Sequence, residues 1–310
     1  VTDELDLPSL VDAGARSLGF DDDLDLEVGP LAFGCWRFVG DDVAAARELV
    51  ETALELDMNL VDTADIYGTG FGGGGFGEAE ALLGKVLAEA PELRDRMVLA
   101  TKGGIRPGAP YDSSPAYLAE ACEASLRRLG VDVIDLYQVH RPDLLAHPLD
   151  VAETLDALVT SGKVRTVGVS NHTPAQVRAL AEYLEAPLVS TQPQYSAAHL
   201  DHLRDGVLDQ AMELGLAVLA WSPLGGGRLA TGEGVRAELI AVLDELAARE
   251  GVDRATVALA FVLAHPSSPV AIVGTQTPER LREATKALDV HLDRTDCYRI
   301  IEASEGRPHP

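Results

Sequence analysis

The sequence predicts an α/β protein of the (β/α)8 class, a TIM barrel, and three observations carry that prediction. Short apolar runs alternate with amphipathic stretches eight times between Leu31 and Leu288. The runs stop at polar residues, and buried strands joined by helical crossovers argue for a closed parallel barrel. A length of 310 residues suits one such barrel with its loops.

The first strand, Leu31–Gly34, stops at a glycine, and Asp42–Leu56 follows with helical spacing. Asn59–Asp62 and Glu78–Ala90 make the second unit. Between them the stretch Gly68–Gly77 is rich in glycine. No Gly-Lys-Ser/Thr closes it, so it is not a P-loop; it reads as a flexible loop or as an active-site flap. Val98–Lys102 leads to Pro115–Leu129, where Ser114 before a proline marks a helix start. Ile134–Val139 leads to Leu149–Ser161, and Val164–Ser170 to Pro174–Tyr183, opened by Thr173. Val189–Gln192 with Gly206–Leu214, and Ala217–Trp221 with Glu238–Glu250, repeat the rhythm. An extra helix, Ala255–Ala264, precedes the last strand, Val270–Val273. Thr277 opens the eighth barrel helix, Pro278–Leu288, and Thr295–Ser304 is expected as a terminal helix. Residues 1–27 are acidic and poorly patterned, an extension that packs under the barrel or frays. No linker or sequence repeat divides the chain, so residues 1–310 read as a single domain.

The formal net charge is −25, and lysine is confined to Lys85, Lys102, Lys163 and Lys286. Such a field repels nucleic acid and anionic membranes, so neither is expected as a partner. An anionic cofactor must then find local cations or helix N-termini. The charge also suits a halophilic protein, whose repulsion is screened by salt; the alternative is an ordinary acidic protein. Cys35, Cys122 and Cys297 show no disulfide or metal spacing, which points to a reducing cytoplasm. The acidic N-terminus has no apolar signal core, and no run reaches the ~18 apolar residues of a membrane span. His199 and His202 have no evident third ligand, and no metal is expected. Oligomeric state leaves no trace in the pattern.

Barrel enzymes carry their chemistry at the C-terminal ends of the strands. Asp62, Lys102 and His140 stand at three successive ends, and Tyr67 follows Asp62 in Asp-Thr-Ala-Asp-Ile-Tyr-Gly. Each has an ordinary alternative: a helix cap for Asp62, a packing aromatic for Tyr67, a snorkelling Lys102, a satisfied core histidine for His140. Together they suit proton transfer to a carbonyl that has received a hydride. Tyr67 supplies the proton, Lys102 lowers the phenol pKa, Asp62 holds Lys102, and His140 orients the oxygen.

The chain resembles the aldo-keto reductase superfamily. The matching pieces are Asp62–Gly68, Thr101-Lys102, Asp135–Pro142, Gly162–Asn171 and Ala220–Gly225, and the likeness runs from about Leu31 to Leu288. The His140-Arg-Pro-Asp143 form and Gly225-Gly-Gly-Arg-Leu229 are most similar to a bacterial-type predicted-oxidoreductase branch. The resemblance implies an Asp–Tyr–Lys–His tetrad and an extended NADPH bound without a Rossmann domain. By position, it assigns Ser170, Asn171 and Gln192 to the nicotinamide carboxamide, and Trp221 to stacking on the nicotinamide ring. Ser222, Leu224 and Gly225 follow the pyrophosphate, while Gly274, Thr275, Gln276, Arg280 and Glu283 take the adenosine 2′-phosphate and adenine.

Without the family match, Trp221 also reads as a core aromatic, Ser170–Asn171 as a helix cap, and the glycine triplet as a plain turn. Two departures stand out: Gly274 replaces a common lysine, and Ala284 a common asparagine. Arg280 remains, and its fork suits a phosphate, so NADPH/NADP+ is expected over NADH. Trp36 and His172 are candidates for the substrate pocket, Trp36 equally for packing. The expected activity is reduction of aldehydes or ketones to alcohols, or the reverse. The alternative is an NADPH-binding sensor or regulatory subunit with little turnover.

Overall fold

A computed structural model describes residues 7–18 and 26–308 of the chain. The acidic run Asp21–Asp23 of the N-terminal extension lies outside the described residues. Two short antiparallel strands, β1 (Arg16–Ser17) and β2 (Glu27–Val28), come first. Eight parallel strands then close into a barrel. They are β3 (Leu31–Gly34), β4 (Leu60–Asp62), β5 (Val98–Gly103), β6 (Ile134–Val139), β7 (Val164–Ser170), β8 (Leu188–Gln192), β9 (Ala217–Ala220) and β10 (Val270–Val273). Each pairs with the next, and β10 returns to β3 with Ala271 beside Leu31. The fold is the (β/α)8 barrel.

The helices around it are α1 (Val43–Glu55), α2 (Glu78–Glu89), α3 (Pro115–Leu129), α4 (Pro148–Thr160), α5 (Pro174–Ala181) and α6 (Val207–Leu214). A short α7 (Arg228–Thr231) precedes α8 (Ala237–Glu250), α9 (Arg254–Leu263), α10 (Pro278–Thr285) and α11 (Arg294–Glu305). No helix among the described residues is long and apolar enough to cross a membrane.

The strands are buried on both faces almost throughout, polar members such as Asp135, Gln138 and Thr166 included. The inner cluster includes Ala32, Leu60, Val98, Ala100, Leu136, Val189, Leu219, Val270 and Ile272. Leu18, next to β1, and Val28 of β2 join this cluster at the end where the barrel strands begin. Asn59 ties the hairpin to β4: its amide donates to Glu27 O at 2.9 Å and accepts from Gly29 N at 2.9 Å. Arg16 Nε donates to Ser268 O at 2.7 Å, tying β1 to the turn before β10. The outer cluster fills the space between strands and helices.

Helix starts differ from the expectation in an instructive way. Thr173 makes a full capping box with Gln176 on α5. Ser114 and Thr277 precede their prolines as expected, but neither side chain caps its helix. The Ser114 hydroxyl donates instead to Asp112 at 2.6 Å, a local acceptor that competes with the backbone. Strand β9 stops at Ala220, and Trp221 makes a single bridge to Gln194. Helix α10 ends at Thr285 and passes into a 3-10 turn over Lys286–Asp289.

Candidate active site

The C-terminal ends of the parallel strands point one way, so β4, β5, β6, β7 and β8 deliver polar side chains to one mouth. There the structure brings Asp62, Tyr67, Lys102 and His140 together, all buried. Lys102 is the centre. Its Nζ donates to Asp62 Oδ2 at 2.8 Å, to Thr63 O at 2.7 Å and to Tyr67 Oη at 3.1 Å. An ammonium has three protons, and each finds an acceptor, which is the condition for keeping a charge out of water. The phenol oxygen accepts from Lys102, so the phenol proton remains free to be donated elsewhere.

Asp62 is held from both sides. Its second oxygen, Oδ1, accepts from Gln192 Nε2 at 2.9 Å across the barrel. That contact gives Gln192 a role that its position at a strand end did not reveal. His140 packs edge-on to Tyr67, with ring centroids 5.8 Å apart, and its buried Nδ1 has no partner among the described residues.

The electrostatics correct one expectation. Burial pushes the Tyr67 phenol up to about 12, against the downward pull of Lys102⁺. The expected net lowering by Lys102 therefore does not hold: desolvation of a phenolate outweighs one ammonium already shared with Asp62. For Lys102 itself, burial pulls downward, but the charges and hydrogen bonds of Asp62 and Tyr67 prevail and hold it above its ordinary value. Burial, then Lys102 and Arg141, hold His140 well below the usual imidazole range, so its ring is neutral at pH 7.

Next to this group, Ser170, Asn171 and Trp221 form a second network. Asn171 takes a left-handed backbone (φ 59°). Its amide donates to Ser170 Oγ at 2.7 Å and His140 O at 3.3 Å, and its Oδ1 accepts from Trp221 Nε1 at 2.9 Å. The indole is thereby fixed in azimuth, with the Arg141 guanidinium 5.7 Å from its ring centroid. Ser222 also has positive φ, and the chain turns through Gly225, Gly226 and Gly227 at φ 58°, 73° and 99°. A Cβ at Gly226 or Gly227 would meet nothing within 4 Å, so this backbone is open to a close-lying ligand. Leu224 is half-buried beside it.

Open glycine backbone, the unpartnered His140 Nδ1 and the half-buried Trp221 are features an extended dinucleotide would fit. Gly274, Thr275 and Gln276 follow β10, with Gln276 Nε2 donating to Thr275 O at 3.2 Å. Arg280 is exposed in the first turn of α10. The Glu283 carboxylate is engaged by Lys286 at 2.6 Å, an ion pair that its assignment to the adenosine end did not foresee. His172 is buried, bonded through Nδ1 to Ser170 O at 2.9 Å, and lowered to about 4 chiefly by burial. Trp36 is half exposed, its ring centroid 5.4 Å from that of Tyr67, which places it on the mouth's rim. His202 bonds Asp205 at 2.7 Å, away from this group.

Comparison with known proteins finds relatives along nearly the whole chain. The model of the aldo/keto reductase family matches residues 30–305. A curated relative named 6-dehydroglucose reductase, from Novosphingobium aromaticivorans, is 50% identical over 288 residues, covering 92% of this chain and 94% of its own. Oxidoreductase YdhF of Escherichia coli is 38% identical, covering 92% of this chain and 96% of its own. Among solved structures, the glycerol dehydrogenase AKR11B4 from Gluconobacter oxydans superposes with a TM-score of 0.81 at 26% identity, covering 96% and 97% of the two chains. With a family match across the barrel and relatives of this identity, the chain belongs to the aldo/keto reductase family of oxidoreductases.

Proposed function

We propose that this protein reduces aldehydes or ketones to alcohols with NADPH, and that Tyr67 is the proton donor. The observation that carries this reading is the Lys102 ammonium, buried between Asp62 at 2.8 Å and the Tyr67 oxygen at 3.1 Å. When bound, NADPH supplies a hydride to the carbonyl carbon. The carbonyl oxygen then needs a proton, and Tyr67 donates its own. The phenolate left behind is stabilised by the Lys102 charge, which Asp62 and Gln192 hold in place. Neutral His140 orients the carbonyl oxygen by donating a hydrogen bond.

Ser170, Asn171, Gln192 and Trp221 would hold the nicotinamide end, Ser222, Leu224 and Gly225 the diphosphate, and Gly274, Thr275, Gln276 and Arg280 the adenosine end. Arg280 supports NADPH over NADH, since its guanidinium suits a 2′-phosphate. The relative named for 6-dehydroglucose supports an aldehyde-bearing sugar as substrate. The excess of 50 acidic over 25 basic residues supports work in a salty cytoplasm.

The test is NADPH consumption with a panel of aldehydes in concentrated KCl. Tyr67→Phe is expected to lower kcat by about 10²–10⁴-fold while NADPH still quenches Trp221 fluorescence. Arg280→Ala is expected to weaken NADPH binding and leave NADH binding unchanged. Full turnover by Tyr67→Phe would remove the proton-donor assignment. Tighter binding of NADH than NADPH by the unaltered protein would remove the cofactor preference.

A further inference from the structure

The glycine-rich stretch after β4 is not a free flap in this structure. Gly75 N donates to Gly68 O at 3.0 Å, and Gly73 N to Gly70 O at 3.0 Å. Glu78, at the start of α2, accepts from Gly74 N with one oxygen and from Gly40 N with the other, at 2.9 Å. Gly68 has φ +113°, and a Cβ there would fall 2.3 Å from Gly75 O; one at Gly73 would fall 2.3 Å from Gly68 O. The glycines thus let the chain fold back on itself into a small closed loop whose ends meet.

One residue stands against the pattern of this loop. Phe71 sits between Gly70 and Gly72 yet has φ +55°, a backbone region that bulky side chains resist. Its ring is 58% exposed, so burial offsets little of that strain. Glycine would adopt the same backbone without steric cost. The ring is placed where it matters for the site. It packs edge-on to Trp36, centroids 6.1 Å apart, and Trp36 leans on Tyr67 at 5.4 Å. The Arg37 guanidinium lies 4.9 Å from the Phe71 centroid and donates to Gly226 O at 3.1 Å. An exposed aromatic wall therefore runs outward from Tyr67 through Trp36 to Phe71, braced against the glycine turn after β9.

We infer that Phe71 is a specificity residue: the closed loop presents its ring beside Trp36 to form the outer wall of the carbonyl pocket, which selects substrates carrying a ring-sized group. The inference rests on the carbonyl reduction proposed above. A short-chain aldehyde that ends near Tyr67 does not reach Phe71; a cyclic one lies along both aromatic faces. The wall contributes binding distant from the reacting atoms, so it acts on KM more than on kcat.

The experiment compares propanal with cyclohexanecarbaldehyde, both with NADPH. Phe71→Gly relieves the backbone while deleting the ring, so the thermal midpoint is expected to hold or rise. KM for cyclohexanecarbaldehyde is expected to rise about tenfold with kcat within about twofold, while both constants for propanal and the NADPH dissociation constant stay within about twofold. Phe71→Trp is expected to keep the wild-type selectivity, and Phe71→Leu carries the same comparison should the glycine variant fold poorly. Equal treatment of the two aldehydes by wild type and variant, or a parallel loss on both, overturns the inference and leaves the reduction standing. Absence of turnover of either aldehyde by the wild type removes the reduction itself.

Discussion

Lys102 shows how much one side chain can impose at a barrel mouth. In a chain with so few lysines, this one is fully buried and commits all three protons to fixed acceptors. The proposed donor, Tyr67, is therefore protonated at neutral pH. Tyr67 rises to about 12, and burial keeps His140 uncharged to well below its usual range. A phenol acts as an acid only below its pKa, and a neutral imidazole persists only above its own. Both conditions hold together across the middle of the pH scale. The rate of the reductive step, measured in single turnovers, is thus expected to be flat from about pH 6 to about pH 10. An alkaline fall near pH 8 would show instead that the Lys102 charge outweighs burial. These four residues were legible because, although each alone has an ordinary structural use, four titratable groups around three successive strand ends are hard to explain as structure. It did not show which way the phenol shifts, since that depends on depth. The Gln192–Asp62 bond was equally hidden, because it joins strands on opposite sides of the barrel.

At the scale of elements, close approaches decide more than propensities. Gly84 lies within α2, where alanine would by itself be preferred. A Cβ there would fall 2.1 Å from Arg128 O at the end of α3. The same contact region holds the buried Glu80, whose carboxylate takes Arg128 Nε at 2.7 Å and the Thr101 hydroxyl at 2.5 Å. Gly84→Ala is expected to destabilise the protein by about 1–3 kcal/mol, despite a propensity gain of up to about 1 kcal/mol. A lower urea midpoint with unchanged slope checks this; a raised midpoint would mean that the helices separate without loss. The main elements were readable to within a few residues because buried parallel strands carry short apolar runs, as Leu31–Gly34 and Val270–Val273 do. The hairpin strands β1 and β2 were not, since two residues each are too short for any period. Nor did Gly68–Gly77 announce its closed form, which depends on a carboxylate at Glu78 and a backbone amide as distant as Gly40.

For the whole molecule, a net charge of −25 dominates the long-range electrostatics. Ion pairs such as Arg204–Glu305 and Arg254–Asp244 offset it locally, but 50 acidic residues against 25 basic ones leave many carboxylates without a cation. Raising KCl from about 0.1 to 2 M shortens the screening length from about 10 Å to under about 3 Å. The thermal midpoint is expected to climb by about 5–10 °C over that range, a few kcal/mol for a chain of this size. A midpoint independent of salt would remove the proposed adaptation. The proposed cofactor is itself an anion, and screening eases its approach as well.

The Gln192–Asp62 bond joins residues 130 positions apart. During synthesis, a nascent chain that has already produced Asp62, Tyr67, Lys102 and His140 still lacks the brace for its carboxylate. Only after the strand bearing Gln192 has left the ribosome and taken its place opposite β4 can the mouth acquire its final shape. Activity is then a late reporter of maturation, silent in every truncated product that stops short of that strand.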